Sequence, residues 1–313
     1  MILCADIGGT NARLALAEPG TTEPLAERYF LCADYADFES VLADFLAATG
    51  ARIAAGCLAV AGPVSDDGRR ARLTNLPWTI DCDALAKRFA IGHLVLANDF
   101  AAAAMGVTVT PAEMLITLQN GKPVPTAPRL VVGAGTGLGM ATLVWQDDHW
   151  RVLPGEGGHM GFAPLDEAQE QVWRVLRAEH GRVTAERVVS GPGLATIHRI
   201  LAGESLSPTG ITEKALNDKD AAARLSLDVF LAAYGAFAGD MAMGSLARGG
   251  VFLAGGIAGK LLSILPDSPF LAYFNDKAEH ADIVRAMPVH VAVDPALGLR
   301  GAACLAGQAL KVH

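Results

Sequence analysis

The sequence predicts a three-layer α/β protein of two domains, and three observations carry that reading. Apolar strands and amphipathic helices alternate through the first hundred residues. Glycine turns follow apolar strands at Gly8-Gly9, at Gly133 to Gly139 and at Gly255-Gly256. The chain also repeats itself, because one shift lays Gly135-Thr136 over Gly9-Thr10 and carries the flanking apolar runs, Leu130 to Val132 and Ala141 to Val144, with them. At 313 residues there is chain enough for about two domains, and 51% hydrophobic against 19% charged residues supplies the apolar surface to fill their cores.

Each element follows from local pattern. The apolar run Ile2 to Ile7, a break at Gly8-Gly9-Thr10-Asn11 and a return at Leu14 to Ala17 predict a hairpin. Phe38, Val41, Leu42, Phe45 and Leu46 fall on one helical face that Gly50 ends, and Ile53 to Ala61 reads as a strand. A helix after Asp81 carries Leu85 and Phe89, then a strand at Leu94 to Ala97 runs into Asn98-Asp99 and an alanine-rich helix from Phe100 to Met105. Residues 121–128 and 205–212 read as surface loops. A long apolar helix spans Leu225 to Leu246, with Met241, Met243 and three glycines taken as core packing, and Val251 to Ala254 is a strand. A helix from Leu299 to Leu310 closes the chain.

Charge and cysteine usage exclude several functions. Lys+Arg 25 against Asp+Glu 33 gives −8, and no basic run exceeds Arg69-Arg70, so nucleic acid is not an expected partner. Five cysteines, an odd number without a C-x-x-C spacing, point to reduced thiols and a cytoplasmic address. No basic leader and no stretch of about 18 apolar residues is present, so neither export nor a membrane is expected.

The 34 glycines matter because of where they cluster. Glycine permits positive φ and close backbone approach, so successive N–H groups can converge on phosphate oxygens; a plain strand connection is the alternative for any single turn. Two common nucleotide motifs are absent: there is no G-x-x-x-x-G-K-[ST], and Leu138 stands where a dinucleotide fingerprint after Gly133-x-Gly135 needs its third glycine. In the repeat, Val132 replaces Asp6, so only the first turn keeps a carboxylate. Asp99, at a strand end, reads either as a base or as the N-cap of the helix at Phe100. No cysteine follows His159 before Cys304, which rejects a zinc cluster, and His93, His149, His180, His198, His280, His290 and His313 read as surface or satisfied histidines.

Six stretches in order, Asp6-Ile7-Gly8-Gly9-Thr10-Asn11-Ala12-Arg13, Asn98-Asp99-Phe100, Gly133 to Gly139, Leu153-Pro154-Gly155-Glu156-Gly157-Gly158-His159, Ala185 to Gly193 and Leu253 to Ile257, resemble the bacterial ATP-dependent glucokinase family. The resemblance implies an actin-like (ribonuclease H-like) two-domain ATPase fold with an inter-domain cleft: a small α/β domain at 1–108, rejoined by a C-terminal helix at 299–313, and a large one at 109–298. It implies transfer of a phosphoryl group from ATP to glucose O6. Asp6, Gly8, Gly9, Thr10 and Asn11 would form a first phosphate turn, with Asp6 holding Mg²⁺ through water. Gly133, Gly135, Thr136 and Gly137 would form a second, and Gly255 and Gly256 would meet the adenosine. Asn98, Glu156, His159 and Glu186 would bind sugar hydroxyls, and Asp99 would be the general base. A homodimer is implied as well. Another hexose, fructose or N-acetylmannosamine, stays open as substrate, and so does a non-catalytic sugar sensor on the same fold; a DNA-reading repressor finds no room before the turn at Gly8.

Overall fold

A computed structural model describes residues 1–311 except Asn75 and Asp218, so His313 lies outside the described residues. The first hairpin forms as the sequence predicts. β1 (Ile2–Ile7) pairs antiparallel with β2 (Asn11–Ala17), Gly8 N–H closes the turn on Asn11 O at 2.9 Å, and Asp6 stands opposite Arg13. β3 (Leu25–Leu31) follows. α1 (Phe38–Thr49) starts at Asp37, whose carboxylate accepts from Ser40 N–H, and stops at Gly50 in the left-handed region. β4 (Ala55–Val60) is wholly buried. The short pair β5 (Arg70–Arg72) and β6 (Thr79–Asp81) leads to α2 (Cys82–Phe89), capped by Asp81, then to β7 (His93–Asn98) and α3 (Asp99–Val107). The sheet order is β3-β2-β1-β4-β7, with β4 and β7 parallel to β1.

The rest of the chain forms β8 (Leu115–Gln119), β9 (Arg129–Ala134), β10 (Leu138–Gln146), β11 (His149–Gly155), α4 (Glu167–His180), α5 (Gly191–Ala202), α6 (Pro208–Leu216) and α7 (Ala221–Ser245). β12 (Gly250–Ala254), α8 (Gly256–Lys260), α9 (Phe270–Asn275), α10 (Ala281–Arg285), β13 (Val289–Ala292) and α11 (Leu297–Lys311) complete it. The second sheet runs β11-β10-β9-β12-β13-β8.

The repeat therefore extends past the hairpin that revealed it. β2-β1-β4-β7 recurs as β10-β9-β12-β13, with one antiparallel and two parallel pairings in the same places. The second turn is one residue tighter than the first. Ile7 pairs with Ala12 in the first hairpin, whereas Ala134, not Gly133, pairs with Leu138 in the second, because Gly135 N–H closes on Gly137 O. The loop expected at 205–212 holds only as far as Ser207. Ser207 accepts from Gly210 N–H and Pro208 takes the first helical position, so a capped helix starts where serine and proline had been read as turn residues.

Backbone contacts divide the chain into two units, residues 1–114, 148–154 and 294–313, and residues 115–147 and 155–293. In the first unit α3 and α11 cross backbone to backbone. A Cβ at Gly106 would lie 2.1 Å from Leu297 O, and one at Gly301 would lie 1.7 Å from Ala102 O. In the second, the same device seats α7 against α9: Cβ atoms at Gly235 and Gly239 would lie 2.1 Å from Phe270 O and 2.3 Å from Phe274 O. α7 is long and apolar enough to cross a membrane, but 72% of its apolar window is buried in the protein, which makes it a core helix and bears out the packing role read for Gly235 and Gly239; Gly244 departs from that reading, exposed and with nothing within 4 Å of where its Cβ would stand. None of the five cysteines is in a disulfide; burial pushes the Cys4 and Cys82 thiols up to about 12, which leaves them unreactive at neutral pH.

Candidate active site

In the first unit, two strand ends bring carboxylates together. Asp6 ends β1 just before the glycine turn, and Asp99 opens α3 directly after β7. Burial raises the Asp6 pKa, the neighbouring charge of Asp99 raises it further, and Arg13 pulls it back. Arg13 is itself engaged, with its Nε on Glu27 at 2.6 Å and its guanidinium donating to Pro295 O. The first turn of α11 closes over Asp6 as well, since a Cβ at Gly298 would lie 3.0 Å from Asp6 Oδ2. Among the described residues no group of three or more His, Cys, Asp or Glu side chains gathers as a metal site; the desolvated Asp6 carboxylate, only partly compensated by Arg13, is an oxygen donor of the kind a hard divalent cation takes, which fits Mg²⁺ held largely by water and not by a closed cage of protein ligands.

The N-cap of α3 is Asn98, not Asp99. Asn98 has extended backbone angles, and its Oδ1 accepts from Phe100 N–H at 3.0 Å and Ala101 N–H at 3.3 Å. Asp99 is the first helical residue; its Oδ1 accepts from Phe100 N–H at 2.8 Å, and the Asn98 side chain also bonds to it. Burial outweighs these bonds and holds the Asp99 carboxyl above the usual carboxylate range. A carboxylate fixed by one backbone donor and one amide, yet poised to accept a proton, has the properties of a general base.

In the second unit, the glycine turn at Gly135 to Gly137 is anchored from outside. Gly191 N–H donates to Gly135 O at 2.8 Å, and Leu138 N–H donates to Glu186 Oε2 at 2.9 Å. Thr136, His159 and Glu186 line one cavity of about 350 Å³ with Thr184, Arg187 and Ser190. Glu156 is not among its lining residues. The Glu156 and His159 side chains, which the resemblance implies would bind sugar hydroxyls, are 91% and 61% exposed, 3.8 Å apart, because three glycines around them supply no side-chain cover. The first turn of α5 offers no open donors: Gly191 N–H is spent on Gly135, Pro192 has none, Gly193 N–H bonds Ser190 Oγ at 3.0 Å and Leu194 N–H bonds Ser190 O. Gly255, at φ +85°, would bring a Cβ within 2.9 Å of Ala134 O, whereas a Cβ at Gly256 would meet nothing within 4 Å, leaving its backbone open to a ligand.

Sequence reasoning placed Asp6, Asn98, Asp99 and the three turns at strand ends, where they lie. It missed Gly298 against Asp6, Ser190 as the cap of α5 and the bond from Glu186 to the turn. Ser190 was legible, since Ser-Gly-Pro is an N-cap followed by proline in the first turn. The other two join residues far apart in sequence and leave no local signal.

The family model described as Glucokinase matches residues 3–309. The glucokinase of Yersinia pestis (strain Pestoides F) is 38% identical over 98% of this chain and 97% of that protein. Among solved structures, a glucokinase from an Antarctic psychrotroph superposes with a TM-score of 0.90 at 30% identity, over 98% of each chain. The glucokinase of Balamuthia mandrillaris, solved in complex with glucose, superposes with a TM-score of 0.79 at 23% identity over 97% of this chain and 93% of that one, a likeness of fold.

Proposed function

The chain belongs to the glucokinase family, and on that premise we propose that it transfers the γ-phosphoryl of MgATP to the 6-hydroxyl of glucose with Asp99 as general base. ATP-dependent glucose kinase activity follows from family membership over the whole chain. The observation that supports the residue assignment is Asp99 itself, a desolvated carboxylate held by Phe100 N–H and Asn98 at the end of β7. Asp99 takes the proton of the attacking hydroxyl as its oxygen bonds to the γ-phosphorus and the bond from that phosphorus to the bridging oxygen breaks, ADP leaving, and Asn98, Glu156, His159 and Glu186 orient the sugar. Backbone N–H groups of the turns at Gly8 to Asn11 and Gly133 to Gly137 receive the phosphates, and Gly255 and Gly256 admit the adenosine. Asp6 would hold Mg²⁺ through water, and the bound ion would neutralise phosphate charge. A small domain closed by the C-terminal helix, a homodimer and a cytoplasmic address belong to the same proposal.

The test is ADP release over a panel of hexoses and phosphoryl donors. Glucose with ATP should give the highest kcat/KM; a preference for fructose or N-acetylmannosamine would reassign the substrate, and no turnover with any hexose would leave a sensor. Two substitutions probe the roles. Asp6→Asn should lower turnover at limiting Mg²⁺ and leave glucose affinity intact. Its thermal midpoint should hold or rise, because a carboxylate whose folded pKa is raised weakens the fold once ionised at neutral pH. Wild-type activity throughout a Mg²⁺ titration would remove Asp6 from the metal site. Glu156→Ala should raise KM for glucose by about tenfold or more with little change for ATP, since a lost hydrogen bond to a charged acceptor is worth ~1.5–3 kcal/mol. Equal rises for both substrates would dismiss Glu156 from the sugar pocket.

A further inference from the structure

The second glycine turn has three residues between its paired strands, and two of them are glycine, so the turn gains little definition from its own side chains. Its definition comes from the segment at 185–193. Gly191 N–H holds Gly135 O, and Glu186 Oε2 holds Leu138 N–H at the point where the turn re-enters β10. The fit is close, because a Cβ on Gly137 would stand 2.6 Å from the same carboxylate oxygen. Glu186 thus reaches the phosphate turn from the wall of the cavity that also contains His159.

We propose that Glu186 is a positioning residue for the second phosphate turn in addition to a sugar ligand, so that occupancy of the sugar pocket and affinity for nucleotide are coupled through this one carboxylate. The inference rests on the reading of Gly133 to Gly137 as a phosphate turn. A carboxylate has room for both duties: Oε2 accepts from Leu138 N–H, and Oε1 retains lone pairs for a sugar hydroxyl. A hydroxyl donated to Oε1 restrains the side chain that already restrains the turn, and the turn presents its N–H groups to phosphate with less ordering left to do. The coupling is reciprocal by necessity: nucleotide that orders the turn also fixes Glu186 for the sugar.

Calorimetric titration of MgADP into the intact protein, without sugar, isolates this role. Glu186→Ala and Glu186→Asp should each weaken MgADP binding about tenfold. The aspartate keeps the charge but is one methylene too short to reach Leu138 N–H. Glu186→Gln should stay within about twofold of wild type, because its amide oxygen accepts the same bond. Thermal midpoints near wild type for the Asp and Gln variants exclude misfolding as the cause. MgADP affinity unchanged in the Ala and Asp variants, with glucose affinity lost, would overturn the positioning role and leave Glu186 a sugar ligand alone. Wild-type protein that failed to bind MgADP would overturn the phosphate-turn reading itself, and the coupling with it.

Discussion

Asp99→Asn should lower kcat by at least about 100-fold while the glucose dissociation constant stays near wild type. General-base assistance contributes typically about 10²–10⁴-fold, and asparagine keeps the size and the acceptor oxygen of aspartate but cannot take a proton. The structure removes the main structural explanation for such a loss. Asn98 caps α3, so the cap survives the substitution, and the new amide oxygen can still accept from Phe100 N–H. Fold stability should hold or improve. Burial raises the Asp99 pKa, so its ionised form costs stability once the pH exceeds the ordinary carboxylate range, and a neutral side chain avoids that cost. The same shift predicts the wild-type pH profile: a base works only when ionised, so kcat/KM should fall as pH drops through a midpoint above the ordinary carboxylate range. Single-turnover measurement of the chemical step, with glucose affinity by calorimetry, checks the assignment. A near-normal kcat would require another base.

What the sequence made legible, and what it did not, follows the range of the interactions. The hairpin at Ile2 to Ala17 and the cap-and-stop signals at Asp37 and Gly50 are local, so pattern and turn chemistry found them. The repeat was visible through one glycine turn, but its extension to the orders β2-β1-β4-β7 and β10-β9-β12-β13 was not, because those pairings join strands far apart in sequence and leave no local signal. Local competition misled in two places. Ser207-Pro208 satisfies a turn and a helix start equally well, and only the helical run to Leu216 decides between them. Asn98 and Asp99 are both good caps, and the extended backbone at Asn98 settles which one caps. At the candidate site, residue types were legible and environments were not. Glu156 and His159 sit in a glycine-rich stretch that promises backbone access but gives no measure of exposure. Glu186 reads as an ordinary surface residue until Leu138 N–H is placed beside it.

Gly301→Ala should be the most destabilising single-methyl substitution in the first unit. The added carbon would lie 1.7 Å from Ala102 O, where ordinary contact begins at about 3.4 Å, and both partners are helix backbone that no rotamer change can move aside. Relief requires α3 and α11 to separate. Overpacking of a filled interior costs typically ~1–3 kcal/mol and occasionally more, and a backbone-to-backbone clash belongs at the upper end; the thermal midpoint should fall by roughly 5 °C or more. Activity should suffer with it, since α3 opens with Asp99 and the first turn of α11 lies against Asp6 through Gly298. Gly106→Ala presses the same crossing from the other side, 2.1 Å from Leu297 O. Because one separation of the helices relieves both clashes, the double variant should lose clearly less stability than the two single losses added together. Gly307→Ala serves as the control on the same helix: its Cβ would meet nothing within 4 Å, so it should gain roughly 0.5–1 kcal/mol from helix propensity. Chemical denaturation of the three single variants and the double variant measures all of this at once. Additive losses, or a Gly301→Ala protein as stable as wild type, would mean that these glycines do not set the approach of α3 to α11.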